Sequence, residues 1–533
     1  MSWRRACGDG ARVRGVRAAY LVALVFFAWS FAAFYVPGKG FTYLIAFGGK
    51  QAEERIEALR NVDYYVAQNS DGYDAQYYAQ IAVHPSLRDP ALKQAVDSLP
   101  YRGRRILMPW TAYLLGLGQP AWILQAFALF NALCWFALAA VLLRWFPPVN
   151  VSNLMRWLGV LFSFGICLSV RYALIDGPSL LLIALAVWCV EKKRPWLATG
   201  LLALAGLGKE TNLLGGIALA PAEARPWRRW WVAGVRAGLV ALPLALWLVY
   251  IERVVGPATD LGARNFAGPF SGYVAKWTTV LSAFFGSARN LGTWWSLLTL
   301  VALTTQFLFF VLRPRWRDAW WRVALTFAVL MIFLGDAVWE GYPGAASRVL
   351  LPMQLAFNVL VPRGRKWLVV LMLGNLTLVC APAAFAPPPG PGYTVEGPAA
   401  LRENGGRTMS VRFVSGWYGV EAANGHTWCW SDGGAVLEIF NPAARPVRAQ
   451  LRFGMSTIAP RRVRLIHAAA QIWQGEVTDR SVHAEEAATT LAPGWNRLEF
   501  QTDAPPQTIA GDPRLLGFCM RDLVVTVSAV ARE

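Results

Sequence analysis

Apolar runs separated by short basic segments fill the chain as far as residue 385, and beyond residue 392 the apolar period drops to two. Runs near the ~20 residues that cross a bilayer predict a polytopic membrane domain over 1–385. The first run, 18–36, follows Arg4, Arg5, Arg12, Arg14 and Arg17. It lacks a small-x-small cleavage pattern, so it reads as an uncleaved span with a cytoplasmic N-terminus. Residues 37–105 then lie outside the cytoplasm. Spans over 121–143, 154–170 and 179–190 follow, and then 231–251, 294–312, 319–338, a span from Arg348 to near Arg363, and 367–385. Basic clusters at Arg225, Arg228 and Arg229, at Arg313, Arg315 and Arg317, and at Arg363, Arg365 and Lys366 fall on the inner side throughout. Residues 106–118 are apolar but too short to span and belong at the outer interface.

The run 196–222 is broken by Gly208-Lys209-Glu210-Thr211. Each half is about a dozen residues, ~20 Å of helix against a hydrocarbon core of ~30 Å. Two short helices meeting at Lys209 are therefore expected, packed among neighbours or lining a wet cavity. After the Pro/Gly linker 386–392, Val447, Ala449, Leu451 and Phe453 alternate with Arg448, Gln450 and Arg452. Val463 and Leu465 alternate with Arg462 and Arg464. This period, with Asn-Pro, Pro-Gly and Asp-Gly-Gly turns, predicts a jelly-roll-like β-sandwich over 393–533, outside the cytoplasm.

Composition agrees: the 533 residues are 56% hydrophobic with a net charge of +19 and 26 tryptophans. That charge raises nucleic acid as a partner, but the arginines sit between apolar runs, where they set topology, and no basic soluble groove is evident. Cysteines are sparse, with no CxxC, and the four histidines are scattered, so no zinc site is readable. Cys7 lies in the N-terminal tail. Cys429 and Cys519 are the cysteines of the exported region, and first and last strands of a jelly roll are commonly neighbours. A disulfide between them and two separate buried thiols are both open readings.

The candidate chemistry starts at Ser70-Asp71-Gly72-Tyr73-Asp74-Ala75-Gln76-Tyr77-Tyr78-Ala79, which reads as a helix start. At helical spacing Asp71, Asp74 and Tyr78 share a face. One reading is a capping box with Asp71 at the N-cap and Asp74 at the third position. The other makes Asp74, with Asp71, a general base at the water-facing rim of a bundle. On the predicted topology Arg171, Asp176, Lys209, Glu210, Arg264, Glu340 (in Trp339-Glu340-Gly341-Tyr342) and Arg348 all fall on that same side. Charges at membrane depth carry a task or a partner; ion pairs of Arg171 with Asp176 and of Lys209 with Glu210 are the structural alternative. The cluster Arg102, Arg104, Arg105 suits lipid headgroups. Gly206–Thr211 superficially resembles a phosphate loop, but the first glycine of that pattern falls on Ala203 and no strand precedes it.

Asp74-Ala75-Gln76-Tyr77-Tyr78-Ala79-Gln80-Ile81-Ala82 is similar to the Asp-Glu-x-x-Tyr-Ala-x-x-Ala pattern of aminoarabinose and protein mannosyl transferases. With the lysine-bearing broken helix and the C-terminal β region, the chain resembles the GT-C superfamily of integral-membrane glycosyltransferases over roughly residues 15–385. The resemblance implies a polyprenyl-phosphate-linked sugar as donor and a glycan, lipid or protein as acceptor, with inversion at the anomeric carbon in a bacterial inner membrane. It implies Asp74 as the base and a lysine, Lys209, facing the donor phosphate, for which Arg171, Arg348 and Arg264 are the further candidates on that side. Tyr78, Asp176, Glu210 and Glu340 support them. Ala75 stands where the family has its second acid, so no cofactor is expected and metal assistance is not supported. Two other classes fit part of the pattern. A lipid-linked glycan flippase also needs broken helices, but no second copy of the 196–222 break exists. A non-enzymatic carbohydrate-binding scaffold would not need Asp74 and Lys209 on one side.

Overall fold

A computed structural model of the chain describes residues 2–60, 62–67, 70–222, 227–257, 262–286, 290–341, 343–404, 407–423, 425–478, 482–509 and 512–529. Arg225, Tyr342 and the side chains of residues 1–12, including Arg4, Arg5, Cys7 and Arg12, lie outside that description. The chain forms two compact units. One is helical, comprising Met1–Ala46, Glu54–Tyr65 and Tyr73–Pro387; the other, β-rich, comprises Phe47–Glu53, Val66–Gly72 and Pro388–Glu533.

Among the described residues of the helical unit five helices are long and apolar enough to cross a bilayer: Val13–Ala32, Pro120–Leu142, Trp227–Val254, Leu291–Leu312 and Arg365–Phe385. The pair Val151–Leu161 and Phe164–Arg171, bent by 44°, makes a sixth in place of the straight run expected over 154–170. The protein is accordingly a multi-pass membrane protein. Among the described residues the other apolar segments are shorter. The stretch 319–338 stops as a helix at Phe333 and resumes at Asp336–Trp339, because Gly335 donates its N–H to the Asn265 carbonyl at 2.8 Å. A side chain at Gly335 would meet the Arg264 carbonyl oxygen and Phe266, so the glycine lets the 263–266 turn lie against the break. Helix Leu107–Leu115, with Trp110, Leu114 and Leu115 exposed, has the short apolar form read from the sequence.

The break at 209 is present. Helix Pro195–Gly208 ends, Lys209 is extended (φ −162°, ψ 130°), and a 3₁₀ helix, Glu210–Leu219, continues. Arg322 caps that second piece, donating to the carbonyls of Ile217 and Ala218. Helix Ser271–Phe285 was not anticipated in the 252–291 loop, although Val274, Trp277, Leu281 and Phe284 recur at helical spacing. Among the described residues between the first span and Asp74 there is a 3₁₀ turn at Glu57–Leu59 and a two-residue strand, Val66–Ala67, paired in parallel with Phe47–Gly48.

The β unit is an antiparallel sheet curled around one core. Its path runs Ala470–Val477, Arg461–His467, Gly494–Thr502, His426–Asn441, Phe518–Ala529, Val447–Thr457, His483–Leu491. Tyr393–Glu396 joins it in parallel along Phe518–Ala529. Val447, Ala449, Leu451, Phe453, Val463 and Leu465 are buried, as their alternation requires. Trp417 is in the core with Phe413, Phe500 and Phe518 edge-on around it. Trp495 is exposed and stacks on Arg412 at 3.9 Å. Cys429 and Cys519 lie on paired strands, one register step apart, and both are free buried thiols. The strand neighbourhood expected for a disulfide exists, but the bond does not.

Candidate functional site

A cavity of about 900 Å³ in the helical unit is walled by Asp74, Lys209, Glu210, Arg264, Glu340 and Arg348, six of the residues picked from the sequence. Asp97, Tyr101, Arg102, Arg104 and Arg105 join them. Six basic side chains therefore face four carboxylates across one space.

Asp74 occupies the N-cap of helix Ala75–Val83, and its side chain makes no capping hydrogen bond. The capping-box reading is overturned: Asp71 precedes the helix in the other compact unit and pairs with Lys50 at 3.3 Å, 76% exposed. Asp71 does not line the cavity, and it shares no helix face with Asp74 and Tyr78, because the helix begins only at Ala75. The Asp74 carboxylate is 37% exposed, with Oδ1 3.1 Å from Arg102 Nη2.

Arg102 donates twice to Asp97, Nε to Oδ1 at 3.0 Å and Nη2 to Oδ2 at 2.7 Å. Burial alone would pull its pKa down. The Asp97 hydrogen bonds and the Asp74 and Asp97 charges beside it win, and the pKa rises. Arg105 makes a two-point pair with Glu210, both contacts 3.0 Å, and donates to the hydroxyls of Tyr78 (2.7 Å) and Tyr101 (2.8 Å). Its pKa is also raised: burial opposes the charge, and Tyr78 and Glu210 favour it more strongly. Burial pushes the Tyr78 phenol up against the pull of Arg105. These arginines are thus built into the wall, where the sequence had suggested lipid headgroups.

Asp176 is buried and does not itself line the cavity. It holds Lys209 Nζ on Oδ1 at 2.6 Å and Arg348 Nη1 on Oδ2 at 3.0 Å, with side-chain exposures of 3%, 11% and 9%. Arg348 Nη2 also donates to the Tyr73 hydroxyl at 3.2 Å. The partners expected from sequence neighbourhood are therefore exchanged. Lys209 takes Asp176 and Glu210 takes Arg105, because the extended residue at 209 turns consecutive side chains to different neighbours. Among the described residues Arg171 pairs with no carboxylate, and it does not line the cavity. Its guanidinium stacks on Tyr43 at 3.9 Å and Tyr172 at 4.7 Å, behind the Tyr172 that does line it. Among the described residues, Arg104 and Arg264 are the cavity cations without a carboxylate partner.

Asp97, Tyr101, Arg102, Arg104 and Arg105 were missed as site residues. The signal available was their density: three arginines and a tyrosine in five residues of one loop, with an aspartate just before. A loop intended only for headgroups would not need the aspartate.

No family model matches the chain, and no curated protein matches it. Among solved structures it is similar to the arabinosyltransferase EmbB from Mycobacterium smegmatis, with 11% sequence identity and a TM-score of 0.34. The match covers 84% of this chain, which spans 62% of that one.

Proposed function

We propose that the protein is an inverting membrane glycosyltransferase that moves a sugar from a polyprenyl-phosphate donor to a hydroxyl of an envelope glycan, lipid or protein. The observation that carries this reading is the convergence of Asp74 with Lys209, Arg348, Arg264 and Arg104 on one cavity, from segments far apart in the chain. The acceptor hydroxyl attacks the anomeric carbon, and the bond from that carbon to the phosphate oxygen breaks on the opposite side. The proton passes to Asp74, whose one ion-pair partner among the described residues is Arg102, on Oδ1. Charge developing on the departing phosphate is met by Lys209 and Arg348, which share one carboxylate between them and so keep a net positive charge. The basic clusters between the apolar runs support a cavity that opens outside the cytoplasm.

The test is sugar transfer from a polyprenyl-phosphate sugar in membranes carrying Asp74→Asn, which is nearly isosteric. A base contributes typically ~10²–10⁴-fold, so transfer should fall to near background at wild-type expression. Wild-type turnover would remove Asp74 from the mechanism.

A further inference from the structure

The cavity holds a second carboxylate whose only hydrogen-bonded side-chain partner among the described residues is the arginine beside Asp74. Asp97 and Asp74 approach the same nitrogen, Arg102 Nη2, at 2.7 Å and 3.1 Å. The two contacts differ in kind. Asp97 receives a planar two-point fork through Nε and Nη2, the strongest geometry a guanidinium offers. Asp74 stands beside it as a charge neighbour. The fork is fixed from both sides. Asp97 Oδ1 also accepts the Ser98 N–H at 2.7 Å, at the start of the short helix Leu99–Arg102. The guanidinium is boxed by the rings of Tyr77, Tyr78 and Tyr101 at 5.1, 5.6 and 5.6 Å.

Resting on the glycosyltransferase reading, we infer that Asp97 is a positioning residue that keeps Asp74 free to act as the base. A carboxylate gripped by an arginine fork has both oxygens occupied and its charge compensated, so it is a poor proton acceptor. Arg102 is buried, charged and within reach of Asp74, and it must satisfy its donors somewhere. With Asp97 present the fork is taken. Without Asp97, Asp74 is the nearest carboxylate that can accept it. Asp97 thus supplies from the loop a second acid near the base, where residue 75 is alanine.

The test is a double-mutant cycle on the full-length enzyme in detergent or nanodiscs, with a polyprenyl-phosphate sugar as donor. Asp97→Asn should lower kcat about tenfold, short of the ~10²–10⁴-fold lost with the base itself, while KM for the donor changes less than about twofold. In an Arg102→Gln background, which has no fork to redirect, adding Asp97→Asn should change kcat no further. Asp97→Glu, which can still hold the guanidinium, should recover most of the loss. An equal loss from Asp97→Asn in both backgrounds would mark Asp97 as merely structural and overturn the inference; so would full kcat in the single variant. Asp74→Asn is assayed in parallel. If it stays active, the base reading itself fails. If it is dead while the cycle is additive, only the role of Asp97 falls.

Discussion

Replacing Asp176 by alanine should destabilise the helical unit more than any other single change in the cavity wall. The residue is buried and bonds two cations from different segments, the Lys209 elbow at 2.6 Å and Arg348 at 3.0 Å. Removing one partner of a buried ion pair costs ~3–5 kcal/mol, because the charge left behind is neither paired nor fully hydrated. Here two charges are stranded instead of one. Both also border the cavity, where water can reach them and offset part of the loss, so ~3–5 kcal/mol stands as the expected total. At about 2 °C per kcal/mol for a large unit, the melting midpoint should fall by ~6–10 °C. The assay is thermal unfolding of the purified full-length protein in one detergent, followed by tryptophan fluorescence, for wild type, Asp176→Ala and the same change in a Lys209→Met, Arg348→Met background. With no cation to strand, the alanine should cost little there. An Asp176→Ala protein that melts with wild type, or an equal cost in both backgrounds, would refute the argument that charge burial holds the elbow in place.

Gly165 packs so closely on the Ser347 carbonyl oxygen that an added methyl would strike it. Gly165→Ala should therefore displace Arg348 and reduce transfer without loss of expression, measured beside Gly200→Ala, where the space is open. Cys429 and Cys519 should resist a thiol reagent in the native protein and react only after denaturation, since burial pushes the Cys519 thiol up to about 12 and Cys429 higher than usual. Intact mass should show no disulfide. Trp417→Ala removes a fully buried ring and its hydrogen bond to the Val436 carbonyl, and should cost the β unit ~3–5 kcal/mol in a denaturant melt. Burial lowers His467 below its ordinary 6.5, despite an opposing hydrogen bond to the Asn496 side chain. The unfolded chain then takes up the proton first as pH falls. The stability this residue contributes is complete above about pH 6.5 and lost as the pH drops through the lowered value. Melts at pH 7.5 and 5.0 should differ less in His467→Gln than in wild type.

The architecture was legible in the sequence, because architecture follows from periodicity and length. Residues 120–142 are apolar for as long as a bilayer is thick, and residues 447–453 alternate, so neither has another way to bury its apolar surface. The break at Lys209 was legible for the same reason, since each half of 196–222 is too short to span. Placing Asp74 on the rim needed only its position after the first span. What the sequence did not determine was which charge meets which. Pairing by proximity joined Lys209 to Glu210 and Arg171 to Asp176, whereas the folded chain joins Lys209 and Arg348 to Asp176, Glu210 to Arg105, and Arg171 to aromatic rings. Ion pairing is decided by side-chain direction at distances of a few ångström, and partners 33, 105 and 172 residues apart leave no periodic trace. The same holds for Asp97 and Arg102. They are local in sequence and were visible there, but their closeness to Asp74 arises only when the 97–102 loop folds back over the helix at 75–83. A carboxylate becomes a candidate base through what surrounds it, and those surroundings are supplied by tertiary contacts.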